Sequence, residues 1–368
     1  MAQSPAMMPG NSASQANRPS LPRLNLQVTA GSPKGQRIAA LDFTKGALVL
    51  LMVLYHWINY FIGPQVTDYY KYLRFVTPSF IFIAGFMISN VYLSKYVAAD
   101  PRLSKRLFTR GLKLFAIFLA LNLARVLVVP LLGTDSVTQN LFAPKNLFIV
   151  FLSGNLPVSG SKLVSFSILV PISYLLMLSG ALMILYRLYR YAFHVVCAVL
   201  LLGILISAMT GARSYALEFV TIGMLGVLVG FTPIESINKL VRHPYILALA
   251  YAGYLIAITI WDVYFPLLVV GTALSLMVIY LLGTRGRESG KIAGEIILLG
   301  KYSLFGYISQ IAILQILSAG FHRVNLGFAG LVLSFLAAFA LTLVSVEIVD
   351  RARTRIGSVD SLYRWVFA

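Results

Sequence analysis

Charge is what this sequence has least of. Of its 368 residues only 11% are Asp, Glu, Lys or Arg, against about 25% in a soluble domain. Acids are scarcest, 12 in all beside 30 Lys and Arg. So few acids disfavour an ion-coupled carrier, which needs carboxylates at mid-membrane. A single cysteine, Cys197, excludes an intrachain disulfide and a thiolate metal cluster. The four histidines, His56, His194, His243 and His322, are scattered without ligand spacing, so no metal site is expected. Residues 1–36 lack any apolar period and are rich in Ser, Pro, Asn, Gln and Gly. They read as a disordered basic cytoplasmic tail rather than a cleaved leader.

What the chain does have is apolar side chains, 59% of the total, with a mean hydropathy of +0.83. Ten runs are long enough to span a bilayer, roughly 46–62, 75–93, 111–132, 164–186, 191–209, 215–231, 244–261, 265–283, 295–318 and 326–347. Backbone polar groups in lipid must be satisfied internally, so each run should be a helix. The expected fold is all-α and polytopic, with about ten transmembrane helices over 37–350. A basic cytoplasmic C-terminal tail, 351–368, follows. Segment 144–157 is apolar but short and carries Pro144, Gly154 and Pro157. It suits a re-entrant or surface helix.

Lys and Arg assign the sides. Segments on one face hold 22 of them and those on the other hold 6. The positive-inside bias then places both termini in the cytoplasm. The net charge of +18 is therefore read as topology and lipid contact, not nucleic-acid binding.

One run is unlike the rest. Asp42, Lys45, Val49, Met52, His56 and Asn59 fall on one stripe of a helix, because eleven residues return a side chain to nearly the same face. His56 then stands roughly 16 Å beyond Lys45, near the centre of the bilayer core. An ionisable group at that depth is costly and marks a functional site by default. Its plainer role is a hydrogen bond to another helix. Asp42 and Lys45 are three apart and can pair at the cytoplasmic mouth.

The second run opens Phe75-Val-Thr-Pro78-Ser79-Phe-Ile-Phe-Ile-Ala-Gly85-Phe86. Together with Arg37, Leu41, Asp42, Gly46 and His56 it resembles the polytopic membrane acyltransferase superfamily. That group includes polysaccharide O-acyltransferases, glucan succinyltransferases and heparan-type glucosaminide N-acetyltransferases. The family's second arginine is Lys45 here, which keeps a cation but loses bidentate donation. Lys105-Arg106-Leu-Phe-Thr-Arg110-Gly-Leu-Lys113 is similar to the basic entry of the family's third helix. Ser165 to Tyr174 is similar to the lead into its fourth. Leu299 to Gln310, with Ser303 and Tyr307, resembles its late helix, with Gln310 where a histidine is common.

The resemblance implies acyl transfer from cytoplasmic acyl-CoA to a hydroxyl or amine, often of a sugar, at the opposite face of a bacterial inner membrane. Under it His56 is a general base or an acyl carrier, with Asp42 and Lys45 beside it as catalytic candidates. Lys45, Arg106, Arg110 and Lys113 are candidates for the CoA phosphates. Asn59, Tyr60, Ser79, Arg125, Tyr307 and Gln310 are candidates for positioning the acceptor or thioester. Acyl-CoA is the co-substrate, and no metal is expected. A glycan or glycolipid acceptor and membrane lipid are the partners, nucleic acid is not, and a homo-oligomer is compatible with the pattern. A membrane transporter or glycolipid flippase, and a non-catalytic membrane partner, are the competing readings.

Overall fold

A computed structural model of the chain describes residues 38–63, 67–93, 101–128, 166–186, 188–211, 213–261, 264–285, 290–321 and 327–367. Among these there are fourteen α-helices and no strand. In chain order they are α1 Ala39–Trp57, α2 Thr67–Leu73, α3 Val76–Met87, α4 Pro101–Val128, α5 Leu169–Tyr186, α6 Ala192–Thr210 and α7 Tyr215–Gly230. There follow α8 Ile234–Val241, α9 Pro244–Ile260, α10 Phe265–Arg285, α11 Gly290–Lys301, α12 Ser303–Phe321, α13 Gly327–Arg355 and α14 Gly357–Phe367. The helices α1 and α3 continue as π-helical turns, Ile58–Ile62 and Ile88–Leu93.

The chain is an all-α polytopic membrane protein. Among the described residues, eight helical stretches are long and apolar enough to cross a bilayer. The pair α7–α8, bent by 98°, makes a ninth, and α9 is a shorter apolar helix of 17 residues. The ten apolar runs thus all coincide with helices, two of them near the minimum spanning length. Residues 295–318 read as one run, but the helix is interrupted at Tyr302, between α11 and α12. Within the C-terminal segment, residues 357–367 form α14. Segments 1–36 and 144–157 lie outside the described residues.

Lipid offers no hydrophobic drive between helices, so small residues and buried hydrogen bonds set the contacts. A side chain at Gly46 would overlap the Ile296 carbonyl, and one at Gly300 would overlap that of Asp42. The backbones of α1 and α11 therefore touch. The same is true of α3 and α7, where Gly85, Gly226 and Gly230 meet Gly223, Phe82 and Phe86. Hydroxyls inside apolar helices donate to the carbonyl four residues back, as Thr44 does to Ala40, Thr272 to Leu268 and Thr342 to Ala338. Others cross between helices: Ser89 Oγ donates to Val227 O at 2.6 Å and Ser104 Oγ to Gly180 O at 2.6 Å. Near the end of α1, Trp57 Nε1 donates to Ser334 Oγ of α13 at 3.0 Å. These contacts place α1 inside the bundle, with Leu48, Val49 and Val53 wholly buried.

Candidate functional site

The stripe read along α1 is real and divides into two ends. At the first, Lys45 Nζ lies 2.6 Å from Asp42 Oδ1, and both side chains are largely buried. Gly46 and Gly300 bring α11 against this pair. Val49 and Met52 then fill the stripe with apolar volume.

At the second end His56 stands in an aromatic cage. Its ring lies 5.3 Å from that of Tyr55, edge-on, and 6.5 Å from that of Tyr307 on α12. Tyr307 is the hub, since its ring also meets Phe80 of α3 at 6.4 Å and Phe166 at 6.1 Å. These separations are normal for interacting aromatic rings. Phe166 sits just before α5 with φ of +65°, the left-handed region, which is strained for a bulky side chain. Strain of this kind persists only where the surroundings over-determine it, and it gathers at ligand sites.

Gln310 follows Tyr307 by three residues on α12, so the two share a helix face. It is fully buried, and among the described residues neither its Oε1 nor its Nε2 has a hydrogen-bond partner. An unpartnered buried amide costs about 1–3 kcal/mol. Its neighbours along the α1–α12 seam are apolar: Gly306 against Val49, and Leu314 in a cluster with Val53 and Tyr60.

Just beyond His56 the chain takes its π-helical turn, which holds Asn59 and Tyr60. Turns of this kind are frequent at functional sites. Asn59 Nδ2 donates to the Tyr70 hydroxyl at 2.9 Å, and Tyr70 donates to the Tyr55 hydroxyl. A relay therefore runs from α2 to the residue beside His56.

Not every candidate faces this cage. The Ser79 hydroxyl donates to Phe75 O at 2.7 Å within its own helix. Arg125 belongs to α4, and its side chain lies outside the described residues. Arg106, Arg110 and Lys113 line a separate open groove of about 340 Å³ with Arg102, Lys105 and Thr109. All six lie along one face of α4, and the Arg110 guanidinium rests over the Tyr92 ring at 5.2 Å. Five cations on one face suit an anion with several phosphates.

Tyr55 and Tyr70 were not singled out from the sequence, and Phe80 and Phe166 entered only through the stretches that resemble the acyltransferases. Aromatic residues are 12% of this chain, so no single ring stands out. Phe166 falls in the stretch resembling the family's fourth helix, and that was the only signal for it. No group of three or more His, Cys, Asp or Glu able to hold a metal exists among the described residues. No protein-family model, curated protein or solved structure matches the chain.

Proposed function

We propose that this protein is an integral membrane acyltransferase that moves an acyl group, acetyl or succinyl, from acyl-CoA to a hydroxyl of a glycan or glycolipid. The facing rings of His56 and Tyr307, with the unpartnered Gln310 amide on the same face of α12, carry this reading. An uncharged imidazole can take the proton from an acceptor hydroxyl as it attacks the thioester. It can equally receive the acyl group itself and pass it on. Tyr307, whose ring meets that of His56, and Gln310, three residues further along α12, carry O–H and N–H donors, the kind of groups that hold a carbonyl oxygen as charge develops there.

The basic face of α4 supports a phosphate-bearing donor, and the resemblance of residues 37–86 to acyltransferases supports acyl-CoA in particular. In this reading the Asp42–Lys45 pair stands at the donor's entrance in the cytoplasm. The membrane is the inner membrane of a bacterium, both termini face the cytoplasm, and the acceptor lies across it.

The test is acyl-CoA binding and turnover by detergent-purified protein, wild type beside His56→Ala, with acetyl- and succinyl-CoA. Binding by both proteins with turnover lost only in the variant is the expected outcome. Binding by neither would overturn the reading and favour the transporter or flippase.

A further inference from the structure

The C-terminal helix α14 is built to lie on a membrane surface, an inference independent of the acyl-transfer reading. At about 1.5 Å per residue, the 29 residues of α13 extend roughly 43 Å, well past a hydrocarbon core of about 30 Å. The excess is the charged end, from Glu347 to Arg355. A single residue, Ile356, separates it from α14, so α14 starts where α13 leaves the core.

One face of α14 is fastened to the bundle. Asp360 accepts from Arg353 Nε at 2.9 Å and Nη2 at 2.6 Å, and it also pairs with Arg364. The Arg353 guanidinium lies 4.1 Å from the centre of the Tyr363 ring and 5.3 Å from that of Tyr302. The Tyr302 hydroxyl donates to Asp350 Oδ1 at 2.7 Å. The far end of α14 turns back toward the core, with Phe367 6.2 Å from Phe305, one turn further along α12 than Tyr302. Tyr363 packs against the same apolar cluster as the wholly buried Val49 and Leu299.

Among the described residues nothing packs against the other face. Trp365 is 73% exposed and Leu362 60%, while Ile356, 50% exposed, lies in the link just before the helix; the exposed Arg355 adjoins it, and the exposed Arg351 and Arg364 are paired with Glu347 and Asp360. Large apolar side chains beside a row of arginines would be a liability in water. They match the boundary between acyl chains and phosphates, where tryptophan partitions and cations meet headgroups. The exposed apolar side of α13, with Leu341, Val344 and Ile348, leads directly to this face.

We infer that the occupant of this face is the phospholipid headgroup layer, with Trp365, Leu362 and Ile356 seated at the acyl boundary. Seated there, α14 also holds Tyr302, the break from which α12 sets out to carry Tyr307 and Gln310.

The chain has three tryptophans, so Trp57→Phe with Trp261→Phe leaves Trp365 as the sole reporter. The full chain is reconstituted into phosphatidylcholine–phosphatidylglycerol vesicles, with and without lipid brominated near the glycerol end of its acyl chains. Bromolipid should at least halve Trp365 emission, while acrylamide in the water changes it little. Quenching by acrylamide alone would place α14 in the aqueous phase, and quenching by neither would mean that protein covers it. Either result overturns the inference. If the double variant does not fold, Leu362→Cys in the otherwise native chain serves, because Cys197 is buried. A nitroxide there should collide with oxygen more than with a water-soluble nickel chelate, and the reverse order would overturn the inference.

Discussion

The two ends of the α1 stripe carry similar kinds of residue and treat them in opposite ways. At the Asp42–Lys45 end every partner is supplied from within: the charges pair, Thr44 bonds its own helix, and Gly46 and Gly300 let two backbones touch. At the His56 end two tyrosine rings meet the imidazole, the helix that carries Tyr307 also carries a buried amide with no partner among the described residues, and a phenylalanine against Tyr307 holds a left-handed backbone. The first is the economy of a bundle that must hold together without water. The second leaves hydrogen-bonding capacity and strain in place, which costs stability unless something else benefits. A satisfied region and an unsatisfied one, about three to four turns apart on a single helix, separate what assembles the protein from what is available to a ligand.

That contrast can be broken at either end. The largest effect is expected from Gly300→Leu, which forces a side chain into the α1 backbone. We expect at least about 3 kcal/mol of destabilisation, seen as loss of the monodisperse peak on detergent size exclusion. The His56→Ala variant should instead keep its melting temperature and lose acyl transfer by about 10²–10⁴-fold. Equal loss of folding and turnover would erase the distinction between the two ends.

Lys45→Ala strands Asp42 in a largely buried setting. A cost of about 2 kcal/mol is expected, below the range for a fully buried pair because water reaches this one. Lys45→Ala with Asp42→Asn should recover most of it, as thermal unfolding would record. Gln310→Leu is the smallest and sharpest change. Removing an unpartnered amide should raise stability by about 1 kcal/mol while lowering turnover. A variant both less stable and fully active would show that Gln310 belongs to the structural end after all.

Much of this architecture was legible because lipid imposes a simple rule. Every spanning backbone must be helical, so run length alone located the helices, and the period of α1 located its polar stripe. The ion pair followed from a spacing of three. The cage did not, because its members come from four separate segments and rings carry no periodic signature. Tyr307 and Phe80 were visible only through the resemblance around them. The break at Tyr302 was hidden inside a continuous apolar run, since hydropathy averages over it. Residues 357–367 read as a basic tail because their docking depends on Tyr302 and Phe305, neither of which a local window contains. The α4 cations read equally as an anchor and as a phosphate site, because a row of basic residues at a helix entrance has the same local pattern in either role.

The backbone of Phe166 bears on how this protein can drift. At φ of +65° glycine or asparagine is the easy occupant, and a phenylalanine there forgoes on the order of 1 kcal/mol. Random substitution therefore has a downhill path at this position, toward residues with no ring. A lineage that still writes phenylalanine there is retaining it for what the ring does against Tyr307, while one that has moved to glycine has given up that wall of the cage and with it a constraint on what the cage admits.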